Sequence, residues 1–273
     1  MSTRALPDAS SVTRAARIYI GLVILAIASF GLPLYLYPAG AAGYWAWTVA
    51  EPRTAMLIGS IYFVSSIFYV LLYRQRDWLR VEMSLRSLFV VAAWLLLAAM
   101  FHWNSFYPYR PLALVWLASY YLPLFFLPIL FRLQREQFGV VDDPVGPRIH
   151  GTWRTWLWAR AAVSLPLAIG LFVMAPQAAA IWPWPIETVN VRMLSGQVAL
   201  FGAFAGLAMK EGAWRRLQPF MIITAMMGLA HLPAYLLPLG GYDWAAPLAW
   251  PLILMPLEWL GTSLGMLLAH RAR

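Results

Sequence analysis

Trp45-Ala46-Trp47-Thr48-Val49-Ala50-Glu51-Pro52-Arg53-Thr54-Ala55-Met56-Leu57-Ile58-Gly59 opens one apolar run. Trp182-Pro183-Trp184-Pro185-Ile186-Glu187-Thr188-Val189-Asn190-Val191-Arg192-Met193-Leu194-Ser195-Gly196 opens another, 137 residues later. Trp-x-Trp and Met-Leu-x-Gly recur at that offset, and Arg17 meets Arg154 at the same one. After a one-residue slip, to 136, Trp78 and Arg80 match Trp214 and Arg216, and Pro111-Leu112-Ala113 matches Pro247-Leu248-Ala249. Tryptophan is rare and the slip falls where a loop is expected, so these ordered landmarks predict one unit written twice.

The surroundings of the motifs set the solvent. With 62% hydrophobic and 11% charged residues, the 273-residue chain has too few charges to cover a water-facing surface. A polytopic membrane protein is expected. The net charge of +9 would suggest nucleic acid in a soluble domain. Here the arginines lie between apolar runs and orient them, so no nucleic-acid partner is expected. The absence of cysteine excludes thiolate metal sites, disulfides and cysteine nucleophiles. Lys210 is the only lysine, which reads as the bias of a GC-rich bacterial genome.

A spanning helix needs about 20 apolar residues. Eight stretches qualify, near 18–37, 54–73, 85–103, 111–131, 156–175, 192–209, 217–237 and 245–269. Alternate loops must lie on alternate sides, and the basic residues divide accordingly. Arg4, Arg14, Arg17, Arg74, Arg76, Arg80, Arg86, Arg132, Arg135, Arg148, Arg154, Lys210, Arg215, Arg216, Arg271 and Arg273 fall on one side; only Arg53, Arg110 and Arg192 fall on the other. The positive-inside rule then predicts both termini in the cytoplasm. The first run is too long for a signal-peptide core, and its partner after Arg154 is internal, so it reads as a permanent helix.

The expected fold is therefore an all-α integral membrane protein of eight transmembrane helices in two parallel four-helix repeats. The first repeat covers 1–133, a cytoplasmic linker 134–155 with Asp142-Asp143-Pro144 and Gly146-Pro147, and the second repeat 156–273. An even number of spans per repeat makes both halves enter from the same side, related by an axis along the membrane normal.

Trp45, Trp47, Trp182 and Trp184 join Trp103, Tyr107, Tyr109 and Trp244 on the outer side. Such rings favour the headgroup level, which predicts a bilayer-anchoring belt. The rival reading is that the two Trp-x-Trp loops fold over the bundle and cap a pocket.

Within the bilayer the most anomalous residue is Glu258, midway along the last span. An ionised carboxylate there costs a few kcal/mol, so it should be protonated, paired or facing a wet cavity. Pro251 and Pro256 precede it, and its repeat counterpart is Leu122. His231, in the adjacent antiparallel span, is the natural partner: such a pair relays a proton, binds a cation or merely joins two helices. Arg160 is expected to snorkel to the cytoplasmic interface. Glu187 with Arg192, and Glu51 with Arg53, are candidate pairs in the Trp loops. Gly202-x-x-x-Gly206 and Gly261-x-x-x-Gly265 suit close helix packing.

No glycine-rich phosphate loop, HExxH, acidic DxxxD pair or Gly-x-Ser-x-Gly elbow is present, and no catalytic or metal-ligand set is named. The Trp-x-Trp pattern, a short loop, then an apolar helix with an early glycine resembles uncharacterised multi-span membrane proteins of GC-rich bacteria, such as actinobacteria and Chloroflexota. That resemblance implies a bacterial inner-membrane location and nothing about catalysis. Three functions remain open. One is a binding or accessory subunit that packs against a membrane complex or another copy, or holds a lipid-like ligand. Another is a small-solute transporter or channel with Glu258 as coupling acid; the third is a lipid-modifying enzyme. No cofactor is indicated, and the bilayer is the one partner expected outright.

Overall fold

Lipid offers no hydrogen-bonding partners, so each apolar run can satisfy its backbone only by coiling into a helix. The computed structural model describes residues 11–138, 148–149, 151–239 and 241–270, with the side chains of 138, 210 and 211 left aside. Its eight long apolar helices are α1 Arg14–Leu36, α2 Pro52–Tyr73, α3 Trp78–Phe101, α4 Pro111–Phe138, α5 Thr152–Val173, α6 Thr188–Glu211, α7 Trp214–Leu236 and α8 Ala249–Ala269. Among the described residues there is no strand, and the chain is an all-α, eight-span membrane protein.

Local chemistry sets the helix ends. Thr13 caps α1 by accepting from Ala16 N–H, and Asp77 caps α3 by accepting from Leu79 N–H. Pro52 and Pro111 stand first in α2 and α4, where no backbone donor is needed. Gly212, at φ +63°, ends α6 in the left-handed conformation that costs glycine nothing.

α4 continues to Phe138, past the expected boundary at 133. Its extension is anchored by the buried Gln134, whose Oε1 accepts from Thr13 N–H at 3.1 Å and whose Nε2 donates to Ser11 O at 2.6 Å. Residues 139–147 and 150 of the predicted linker, with Asp142-Asp143-Pro144 and Gly146-Pro147, lie outside the described residues; beyond them Ile149 N–H donates to Gly212 O at 2.8 Å and α5 begins at Thr152, before the expected boundary at 156.

The helices form two shells. In α2, α3, α6 and α7 between 50 and 72% of the apolar window is buried, against 28% in each of α1, α4, α5 and α8. The inner helices pack across the sequence halves, α2 on α7 and α3 on α6, while α1 lies along α2 and α5 along α6. Several contacts recur at the 137/136 offset. Tyr107 N–H donates to Ala46 O and Asp243 N–H to Pro183 O, both at 2.8 Å. Trp47 leans on Phe106 with ring centres 5.2 Å apart, and Trp184 on Tyr242 at 5.7 Å.

Close approach decides which glycines matter. A Cβ on Gly228 would stand 2.4 Å from Pro256 O, and one on Gly59 would stand 2.4 Å from Tyr35 N, so backbones touch at α7–α8 and α1–α2. In the two Gly-x-x-x-Gly pairs only one member of each is crowded: Gly202 against Leu165 and Gly265 against Trp153. Gly206 and Gly261 face open space. Gly228→Leu is therefore expected to destabilise the purified protein by about 1–3 kcal/mol or more through overpacking, while Gly206→Ala leaves the thermal midpoint unchanged. Equal midpoints for the two variants would refute the close α7–α8 contact.

Candidate functional site

The face carrying the Trp-x-Trp loops holds the densest set of cross-half contacts. Trp47 Nε1 donates to Asn190 Oδ1 at 2.7 Å, and Trp184 Nε1 donates to Thr54 Oγ1 at 2.8 Å. Each motif's second indole thus fastens to the first turns of the other half's inner helix. Glu187 reinforces the clasp by accepting from Ala50 N–H at 3.0 Å, and it also accepts from Asn190 Nδ2. The expected Glu187–Arg192 pair is not formed. All four tryptophans are buried, which corrects the expectation that Trp45, Trp47, Trp182 and Trp184 anchor at headgroup level. Their loops turn inward, where the second indole N–H of each motif, that of Trp47 and of Trp184, finds a protein acceptor.

The three arginines of this face cap helix ends. Arg53 donates to Ala234 O at 2.6 Å; residue 238 is a proline with no N–H to offer that carbonyl, so the guanidinium fills the role. Arg192 donates through Nε to Phe172 O near the end of α5, and its NH1 meets His102 Nε2. Arg110 donates to Trp45 O at 2.7 Å. Burial, and then the positive charge of Arg192, holds His102 below its usual pKa, leaving Nε2 bare to accept.

Glu258 and His231 do not meet. Glu258 Oε1 accepts from Arg160 NH2 at 2.5 Å, from Trp156 Nε1 at 3.0 Å and from Thr262 Oγ1 at 3.0 Å. The Arg160 side chain is 4% exposed and that of Glu258 29%, so Arg160 reaches inward to the carboxylate instead of snorkelling. The pair bridges α5 and α8, which otherwise meet mainly where Trp153 lies over Gly265. At the offset positions the first half has Val23 and Leu122, and there α1 packs along α4.

His231 instead sits between the halves. Its Nδ1 lies 3.1 Å from Ser60 Oγ and its Nε2 3.2 Å from Gln197 Oε1. Ser60 and Gln197 are 137 residues apart, so one imidazole touches residues of both sequence halves at the offset of the Trp-x-Trp motifs. Sequence reasoning passed over Gln197; its signal was an amide nine residues into α6, at the head of the apolar stretch 198–209.

Two cavities flank Gln197. The central one, about 100 Å³, lies among α2, α3, α6 and α7, with Ile27 of α1 and Tyr120 of α4 at its edge. Its wall is apolar and aromatic apart from Ser65, Ser84, Ser87, Gln197 and tyrosine hydroxyls. The smaller one, about 70 Å³, lies between α5 and α8, backed by Gln197, His231 and Tyr235. Leu194 and Gln197 belong to both walls. Comparison with protein-family models, curated proteins and solved structures finds no match.

Two expectations follow. Glu258→Leu strands the Arg160 cation and should cost about 3 kcal/mol, whereas Arg160→Val with Glu258→Leu copies the first half and should return to within about 1 kcal/mol of the parent. A double variant no better than the single would count against a pair acting as a helix staple. For His102, the unfolded chain takes up a proton near its ordinary pKa of about 6.5 while the folded state resists it. Its contribution is therefore present above that pH and declines as pH falls below it. Thermal melts should fall in midpoint from roughly pH 7.5 to 5, and His102→Gln should flatten that fall; identical slopes would discount the residue.

Proposed function

We propose that this chain is a bacterial inner-membrane binding protein, or an accessory subunit of a membrane complex, that holds an apolar, lipid-like molecule in its central cavity. The carrying observation is the lining of the cavity itself: a space of about 100 Å³ between the four inner helices, walled chiefly by Ile, Leu, Phe and Tyr side chains. Sites for apolar ligands are lined in this way, with a few polar groups to orient the occupant.

The reading includes a duplicated four-helix unit with both termini cytoplasmic. What supports the duplication is the recurrence of the Trp-x-Trp loops, the Tyr107–Ala46 and Asp243–Pro183 hydrogen bonds and the paired aromatic contacts at one offset. What supports the orientation is the gathering of arginines at the face opposite the Trp loops. The alternative of transport with Glu258 as coupling acid draws less support. That carboxylate is engaged by Arg160, Trp156 and Thr262, and it lines neither cavity.

Native mass spectrometry of the full chain, extracted in mild detergent, is expected to show a co-purifying apolar molecule. Val91→Trp, which fills the central cavity, should reduce its occupancy about tenfold with little change in thermal midpoint. A parent chain that emerges empty in several detergents would sink the proposal, as would a filled variant that keeps its ligand.

A further inference from the structure

The smaller cavity carries an unusual load of unpaired polar atoms. Trp182 Nε1, Tyr235 Oη and Gln197 Nε2 are buried and have no hydrogen-bond partner among the described residues. All three side chains line this cavity, and their residues are 7, 2 and 6% exposed. A buried polar atom left without a partner costs on the order of 1–3 kcal/mol, so three on one apolar cavity call for an occupant.

The donors restrict what that occupant is. An indole N–H can only donate, and a tyrosine hydroxyl donates readily. Gln197 is oriented by His231, whose Nε2–H donates to its Oε1 and leaves the NH2 end free. The occupant must therefore bring acceptor oxygens, and it must be otherwise apolar, since Leu57, Leu171, Leu194, Val198 and Met255 make up much of the wall. It must also come from the bilayer: Leu167 and Pro251 line the cavity while exposed on the lipid-facing surface between α5 and α8.

The first half has no equivalent set. Ala99 and Ser60 stand where the second half has Tyr235 and Gln197, and α1 packs along α4 where α5 and α8 leave a mouth. Below that mouth the Arg160–Glu258 pair pins the two helices.

We infer that the cavity between α5 and α8 is a lateral site for a membrane-dissolved molecule bearing carbonyl oxygens, held by the Trp182 N–H, the Tyr235 hydroxyl and the Gln197 amide. An isoprenoid quinone and a glycerolipid share that chemistry, through ring ketones in one and ester carbonyls in the other. The site is separate from the central cavity, though Leu194 and Gln197 form a common wall.

The test uses the full chain in nanodiscs with three probes read by native mass spectrometry. They are a decyl-tailed benzoquinone, dioctanoylglycerol and, with no oxygen at all, decylbenzene. At least one carbonyl-bearing probe is expected to bind about tenfold more tightly than decylbenzene, and the tighter of the two identifies the source. Trp182→Phe and Tyr235→Phe should each erase most of that preference while Val91→Trp, in the central cavity, leaves it intact. Tyr235→Phe removes one oxygen and keeps the ring, so it serves where Trp182→Phe does not fold. Decylbenzene binding as tightly as both carbonyl probes would overturn the inference, with the three donors then met by water. A preference unchanged in Tyr235→Phe would overturn it equally. Loss of the preference in Val91→Trp alone would move the ligand to the central cavity, overturning this site and sparing the reading of the other.

Discussion

Two indole N–H groups, those of Trp47 and Trp184, each reach across the molecule to a polar side chain at the start of the other half's inner helix. Both rings are buried, and a buried N–H without an acceptor is costly, so neither loop can settle without the opposite half in place. This mutual requirement fixes α2 and α6 against each other at one face. Further along they hardly touch, and the inner helices pack instead as α2 on α7 and α3 on α6. The space that opens between them is the central cavity. Its existence is a consequence of helices clasped at one end and partnered crosswise below.

The same accounting of donors and acceptors explains where the charges go. A helix ending near the lipid boundary leaves carbonyls that water reaches poorly, and cations near such ends gain from the helix dipole as well. Arg17 donates to Tyr73 O at the end of α2, Arg192 to Phe172 O at the end of α5, and Arg53 to Ala234 O at the end of α7. The arginines that give the chain its positive charge thus serve as hydrogen-bond donors to backbone as much as signals of orientation. Lysine, with one compact ammonium, would serve Arg53 less well, because its guanidinium also lies over Trp184 and Tyr242 at 5.6 and 5.3 Å.

The number and position of the spans were legible in the sequence, because twenty-residue apolar runs leave a backbone in lipid only one solution. The anomaly of Glu258 was legible too, since depth alone makes a carboxylate stand out. Its partner was not. Arg160 lies eight residues inside α5, where a long side chain can turn toward the interface or into the bundle. What decides is a carboxylate on another helix, which no local pattern reports. His231 was misassigned for the same reason: its neighbours Ser60 and Gln197 come from helices 171 and 34 residues away in sequence. The Trp loops were read as a belt because aromatic residues near span ends usually are one. The exception depended on Asn190 and Thr54 standing opposite.

The polar chemistry of the two sequence halves is lopsided. His231 touches both Ser60 and Gln197, residues 137 apart on inner helices of different halves, so it lies where those helices face each other. At the 136 offset from His231 stands Leu95, which packs over Gly196, where an added Cβ would meet it at 2.9 Å. An imidazole in one half is thus answered by an apolar contact in the other. The polar groups that joined it, Gln197, Tyr235 and the Arg160–Glu258 staple, accumulate in the half whose outer helices are held by an ion pair instead of close packing. An open seam facing lipid and a set of buried donors behind it are thus two results of the same asymmetry.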